Sequence, residues 1–130
     1  MAGHSLGGVF AQSYATDNAD AIKGLILMGS VLTRGNHAIN DDGTTHFDFN
    51  VPTLTMGGSK DGLMRITRVA ESWWHQMENI EPAQANMFPV YGLDGATHWS
   101  FASGAAPSAV KKKDLKPEIS DDVAHAAFAA

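Results

Sequence analysis

Ser5 lies in Gly3-His4-Ser5-Leu6-Gly7, a G-x-S-x-G spacing that runs on into Gly8. That spacing suits a serine held on a sharp strand-to-helix turn, where its hydroxyl projects free and can attack an acyl carbon. A serine hydroxyl is a poor nucleophile until a neighbouring base takes its proton. His98, in GATHWSF from Gly95 to Phe101, is the candidate base, and Asp61, in GGSKDG from Gly57 to Gly62, is the candidate acid. A carboxylate that accepts from an imidazole fixes which ring nitrogen carries the proton and leaves the other to face the serine. Taken singly, each signal has an ordinary alternative. A glycine-rich turn can carry a capping serine, and an aspartate beside Gly62 is common turn chemistry. Asp94, in LDGATH, is a competing acid, but it is so close in sequence to His98 that it is expected to shape that loop.

The elements that must position these residues read helix, strand, helix, strand. Leu6, Val9, Phe10, Ser13 and Tyr14 recur at helical spacing after Ser5, and Asp17-Asn18 ends the run. Ile22 to Gly29 is a short apolar stretch that reads as a buried strand. Ser30 to Val51 is polar and turn-rich and is expected to be a surface connection. Pro52 to Gly58 reads as a second buried strand. A long amphipathic helix should follow, with Leu63, Ile66, Ala70, Trp73, Trp74 and Met77 on one face and Pro82 beyond its end. Met87 to Leu93 is a third strand, expected near an edge because of Pro89. The division is then residues 1–104 and a tail, 105–130, with a terminal helix from Ser120, whose Ser120, Asp121 and Asp122 suit a helix N-terminus.

Strands alternating with helices predict an α/β fold, a parallel sheet with flanking helices. In such sheets the reactive groups sit in loops at the carboxyl ends of the strands. That rule selects three loops, and each carries one of Ser5, Asp61 and His98.

The remaining candidates are less specific. His4 fills the variable position of the turn, and Trp99 and Phe101 flank the base, so these three could line an acyl pocket. His37 and His46 lie among Asp41, Asp42 and Asp48, but NDDG is first a turn and the set lacks Ca²⁺-loop spacing, so no metal is expected. His75 and His125 are expected to be solvated. Arg65, Arg68 and Lys111 to Lys113 read as solvated charge.

Composition bounds the function from outside. Across 130 residues, 44% are hydrophobic and 18% charged, which fits a folded domain rather than a disordered one. A net charge of -5 gives no reason to expect nucleic acid or an anionic membrane surface. No cysteine is present, which excludes disulfides, thiolate metal sites and cysteine nucleophiles. No apolar run approaches the roughly 18 residues that a spanning helix needs. Compartment stays open.

GHSLGG, PTLTMGGSKDG and GATH together resemble the later catalytic landmarks of the α/β-hydrolase superfamily, particularly its esterase and lipase-like members. The resemblance covers about Met1 to Gly104. It implies Ser5 as nucleophile, Asp61 as acid and His98 as base, in the chain order of that superfamily's triad. The backbone N–H of Leu6 would be one oxyanion donor. No cofactor is implied, and the substrate would be a carboxylic ester, lipid or thioester. The three strands look like the sixth to eighth of an eight-stranded sheet, with Met1-Ala2 the stub of the fifth. The chain is therefore expected to be the C-terminal part of a longer hydrolase, with an open apolar edge on the strand bearing Gly29. Ser30 to Val51 spans 22 residues, too few for a large cap domain, although His46, Phe47 and Phe49 could form a small lid. The alternative is a truncated or degenerate hydrolase that binds a ligand or partner without turning it over.

Overall fold

A computed structural model describes residues 1–33, 37–39, 41–43, 45–47 and 49–129, with side chains for 1–33, 41–43 and 49–129. Its centre is a four-stranded parallel sheet in the order β1 (Ala2–His4), β2 (Leu25–Met28), β5 (Thr53–Gly58), β6 (Val90–Leu93). The register pairs His4 with Met28, Met28 with Met56 and Gly58 with Leu93, so all four carboxyl ends meet at one rim. Helices α1 (Leu6–Asp17) and α2 (Ile66–Met77) make the crossovers after β1 and β5. The layout is α/β, a parallel sheet with flanking helices.

Strand alternation divides the core in two. Leu25 and Leu27 of β2 point to one face, where they join Ala11, Ala15, Leu32, Phe49, Val51 and Phe88. Ile26 and Met28 point to the other, with Leu54, Met56, Leu93, Ala96 and Phe101. That second face is covered by α4 (Asp121–Ala129), through Ala124, Ala127 and Phe128. The Ser120 hydroxyl accepts from the Val123 N–H at the start of α4, as its capping position suggested.

Several expectations are corrected. In α1 the residues at helical spacing face outward: Leu6 is 64% and Phe10 66% exposed, with Val9 and Tyr14 also exposed. The buried face is Gly8, Ala11, Gln12 and Ala15; the small Gly8, Ala11 and Ala15 bring the helix against the sheet, and Gln12 donates to the Gly8 and Val31 carbonyls. In α2 the inward residues are Val69 and Gln76, whereas Ala70 and Trp74 are exposed and Leu63 precedes the helix. The 30–51 connection holds an antiparallel hairpin, β3 (His37–Ile39) with β4 (Thr45–Phe47), and returns to the core through Leu32, Phe49 and Val51. Met87 belongs to a 3₁₀ turn, Pro82–Met87, so β6 begins only after Pro89 and forms one edge. The opposite edge is β1 rather than the strand bearing Gly29, because Ala2–His4 pairs with β2 along its length. A short helix, α3 (Ser108–Lys111), precedes the last one.

Candidate active site

Ser5 sits between the end of β1 and the start of α1 with φ 53° and ψ -126°. Among the described residues it alone combines a side chain with a positive φ. Such a backbone costs about 1–3 kcal/mol and persists only where surrounding contacts over-determine it. Here the Ser5 N–H donates to the Met28 carbonyl (2.9 Å) and the Ser5 carbonyl accepts from the Gly8 N–H (2.9 Å). The close approach of strand to helix depends on Gly3 and Gly8: a Cβ on Gly3 would lie 2.6 Å from the Gly7 carbonyl oxygen, and one on Gly8 2.5 Å from Ser30 Oγ. Gly7, expected to serve the same packing, has open space where its Cβ would be.

Asp61 follows β5 and is 3% exposed. Its Oδ1 accepts the backbone N–H groups of Leu63 (2.8 Å) and Met64 (2.6 Å), which fix the carboxylate as an Asx-type turn. Its Oδ2 accepts from His98 Nδ1–H at 2.8 Å. A neutral His98 with its proton on Nδ1 presents a basic Nε2 lone pair. His98 is also 3% exposed and opens the 3₁₀ turn Trp99–Phe101. Gly29, with φ 53°, closes β2 against this pair: a Cβ there would lie 3.0 Å from His98 Nδ1 and 3.4 Å from Asp61 Oδ2. Ser5 and His98 therefore converge on consecutive residues, Met28 and Gly29, at one point of the rim. Asp94 lies apart, accepting from Ser59 Oγ (2.7 Å) and the Gly95 N–H (3.1 Å), and these bonds lower its pKa.

The flanking residues divide. His4 Nε2–H donates to the His98 carbonyl (2.8 Å), and the two rings lie 4.8 Å apart. Burial holds the His4 imidazole below the ordinary histidine range, and the hydrogen bond to the His98 carbonyl opposes it in part. Trp99 is half-buried beside His4 and donates from Nε1 to the Gly104 carbonyl. Phe101, expected to line an acyl pocket, is 4% exposed and packs into the core 6.3 Å from Phe128. Phe49, expected in a lid, is likewise a core residue; His37, His46, Phe47 and Asp48 fall outside the described side chains, and Asp41 and Asp42 are exposed. His75 is partly exposed between Glu71 and Glu78 as expected, whereas His125 is half-buried, with Nε2–H donating to the Ala102 carbonyl. A cavity of about 370 Å³ between Val31–Thr33 and α2 is lined by none of the three candidate residues.

Sequence reasoning missed Asp114. Its Oδ1 accepts from the backbone N–H groups of Gly62 (3.0 Å) and His98 (3.1 Å), and its Oδ2 from that of Trp99 (3.4 Å). It follows a lysine run and belongs to no motif, so no pattern along the chain marks it.

Among curated proteins no sequence matches this chain. The chain is similar to the crystal structure of TT1662 from Thermus thermophilus, at TM-score 0.48 and 17% identity, over 75% of this chain and 45% of that one. It thus spans less than half the length of that structure. Residues 1–115 match the family model described as the alpha/beta hydrolase family. The chain belongs to the alpha/beta hydrolase family.

Proposed function

We propose that this chain carries the catalytic triad of a serine hydrolase that acts on a carboxylic ester, lipid or thioester. The observation that carries the reading is the strained Ser5 backbone at a strand-to-helix turn, which converges with the Asp61–His98 pair on the end of β2. In this reading His98 Nε2 takes the Ser5 Oγ proton as Oγ attacks the acyl carbon. Asp61 keeps the other ring proton on Nδ1 and stabilises the imidazolium as it forms. The Leu6 N–H, in the first turn of α1 and without an intrahelical acceptor, donates to the oxyanion. His98 then protonates the departing alkoxide or thiolate, and the same nitrogen activates the water that releases the acid. The chemistry needs no cofactor.

The family pattern draws the second oxyanion donor from the loop after the third strand of a full sheet. We infer that the full domain supplies that loop. It would also supply the strands that pair with the edge of β1 and cover Leu6, Val9, Phe10 and Tyr14. The exposed apolar face of α1 supports this, since a patch of that kind is ordinarily covered. It equally favours the second reading for the 130 residues in isolation, a binding module or remnant without turnover.

Labelling with a fluorophosphonate probe, followed by peptide mass spectrometry, tests the proposal. The expected result in the full domain is one adduct, on Ser5, abolished by Ser5→Ala. Folded protein that does not label, or labels elsewhere, overturns it in favour of the binding reading.

A further inference from the structure

We propose that Asp114 is a positioning residue whose carboxylate clamps the loop bearing Asp61 to the loop bearing His98. The proposal rests on the triad reading above. Asp61 and His98 leave from neighbouring strands, β5 and β6, and their 2.8 Å contact depends on how the two loops sit relative to one another. One Asp114 oxygen takes an N–H from each loop: Gly62, directly after the acid, and His98, the base itself. The second oxygen takes the Trp99 N–H and so caps the short turn that His98 opens. Sharing one acceptor oxygen ties the two loops to each other.

The surrounding chain is laid down to deliver this carboxylate. Within 111–118 every residue is exposed except Asp114. On either side of it the segment is tied to the same two loops. The Leu115 N–H donates to the Lys60 carbonyl (3.0 Å), and the Glu118 N–H donates to the Gly95 carbonyl (2.9 Å). Lys60 and Glu118 also form an ion pair at 2.8 Å. The Lys113 carbonyl packs so close to Gly62 that a Cβ there would collide with it. The His98 peptide is then gripped at both ends, its N–H by Asp114 from the tail and its carbonyl by His4 from the serine turn. Fixing the backbone at both sides leaves the imidazole few ways to turn from Asp61.

Two substitutions with opposite chemistry test the clamp in the full domain. Asp114→Asn removes the charge and the acceptor that Trp99 uses but keeps the oxygen shared by Gly62 and His98, whereas Asp114→Glu keeps the charge and pushes the oxygens outward by one methylene. The readouts are kcat/KM on p-nitrophenyl acetate and the downfield proton of His98 Nδ1–H in the ¹H NMR spectrum. The clamp predicts that Asn stays within about threefold of the parent and keeps the downfield proton. Glu, and Ala where it folds, should lose about tenfold or more in kcat/KM and lose or broaden that proton, since small misplacements of reacting groups are costly. Glu outperforming Asn would assign the role to charge and overturn the proposal. Equal kcat/KM in all variants, with only Tm altered, would reduce Asp114 to a stabilising residue and overturn it as well. Should the parent fail to label at Ser5, the proposed function falls, while the NMR comparison still decides whether Asp114 orders the Asp61–His98 pair.

Discussion

Replacing Gly29 by alanine would push on the Asp61–His98 pair from the sheet side without removing any hydrogen-bonding group. The substitution has two separable costs. The backbone at φ 53° disfavours a side chain by about 1–2 kcal/mol, which lowers Tm by several degrees in a domain of this size. The new Cβ would also lie 3.0 Å from His98 Nδ1, 3.1 Å from Cε1 and 3.4 Å from Asp61 Oδ2, so the imidazole must yield by a few tenths of an ångström. A shift of that size stretches the 2.8 Å bond to Asp61 and turns the imidazole, whose Nε2 the proposed mechanism aims at Ser5. Since a 1 Å misplacement costs about 100-fold, the expected loss in kcat/KM is about tenfold. Gly104→Ala provides the control, because Gly104 also has a positive φ, 81°, and open space where its Cβ would be. Both variants should lose comparable stability in thermal melts, and only Gly29→Ala should lose activity on p-nitrophenyl acetate below its Tm. If the two variants retain the same kcat/KM, the packing of Gly29 against the pair has no bearing on catalysis and the reasoning is refuted.

Other substitutions probe separate links. Asp61→Asn should leave the fold intact and reduce kcat by about 10⁴-fold, through loss of the correct His98 tautomer; a loss under tenfold, read in the same ester assay, would shift the acid role elsewhere. His4 has its pKa lowered by burial, so its neutral form is favoured in the folded state. The stability this confers is full above the unfolded value of 6.5 and is lost as pH falls through the folded one. His4→Gln, which can still donate to the His98 carbonyl, should therefore flatten the decline of the urea midpoint between pH 7 and pH 5. Identical slopes in the two proteins would rule His4 out as the titrating group. Phe128→Ala removes the tail's ring from Phe101 and should cost about 1–2 kcal/mol in chemical denaturation, while a change within 0.3 kcal/mol would mean that α4 contributes little to the core.

Local chemistry made much of this protein legible in its sequence. The apolar runs ending at Gly29 and Gly58 read as buried strands, and the run ending at Leu93 as a strand near an edge. Their alternation with helices required a parallel sheet, which assigned Ser5, Asp61 and His98 to one rim. The type of each element followed from patterns a few residues long, and such patterns are present in the chain before it folds. What lay beyond them depended on which face meets which neighbour. Leu6, Val9, Phe10 and Tyr14 recur at helical spacing, yet Gly8, Ala11, Gln12 and Ala15 form the buried face, because close strand-to-helix packing at the serine turn leaves no room for a side chain on Gly8. Phe49 reads as part of a polar loop and is a core residue, since the return of the chain to β5 passes beneath α1 and α2. Phe101 stands near His98 along the chain, yet its ring is covered by α4. Asp114 has no sequence signature because its partners, Gly62, His98 and Trp99, are main-chain groups, and a backbone N–H imposes no residue type on the position that bonds to it. The sequence by itself determined which residues could do chemistry and on which elements they stand; the tertiary structure alone decided what holds Asp61 and His98 at bonding distance, because that is a property of loops meeting in space.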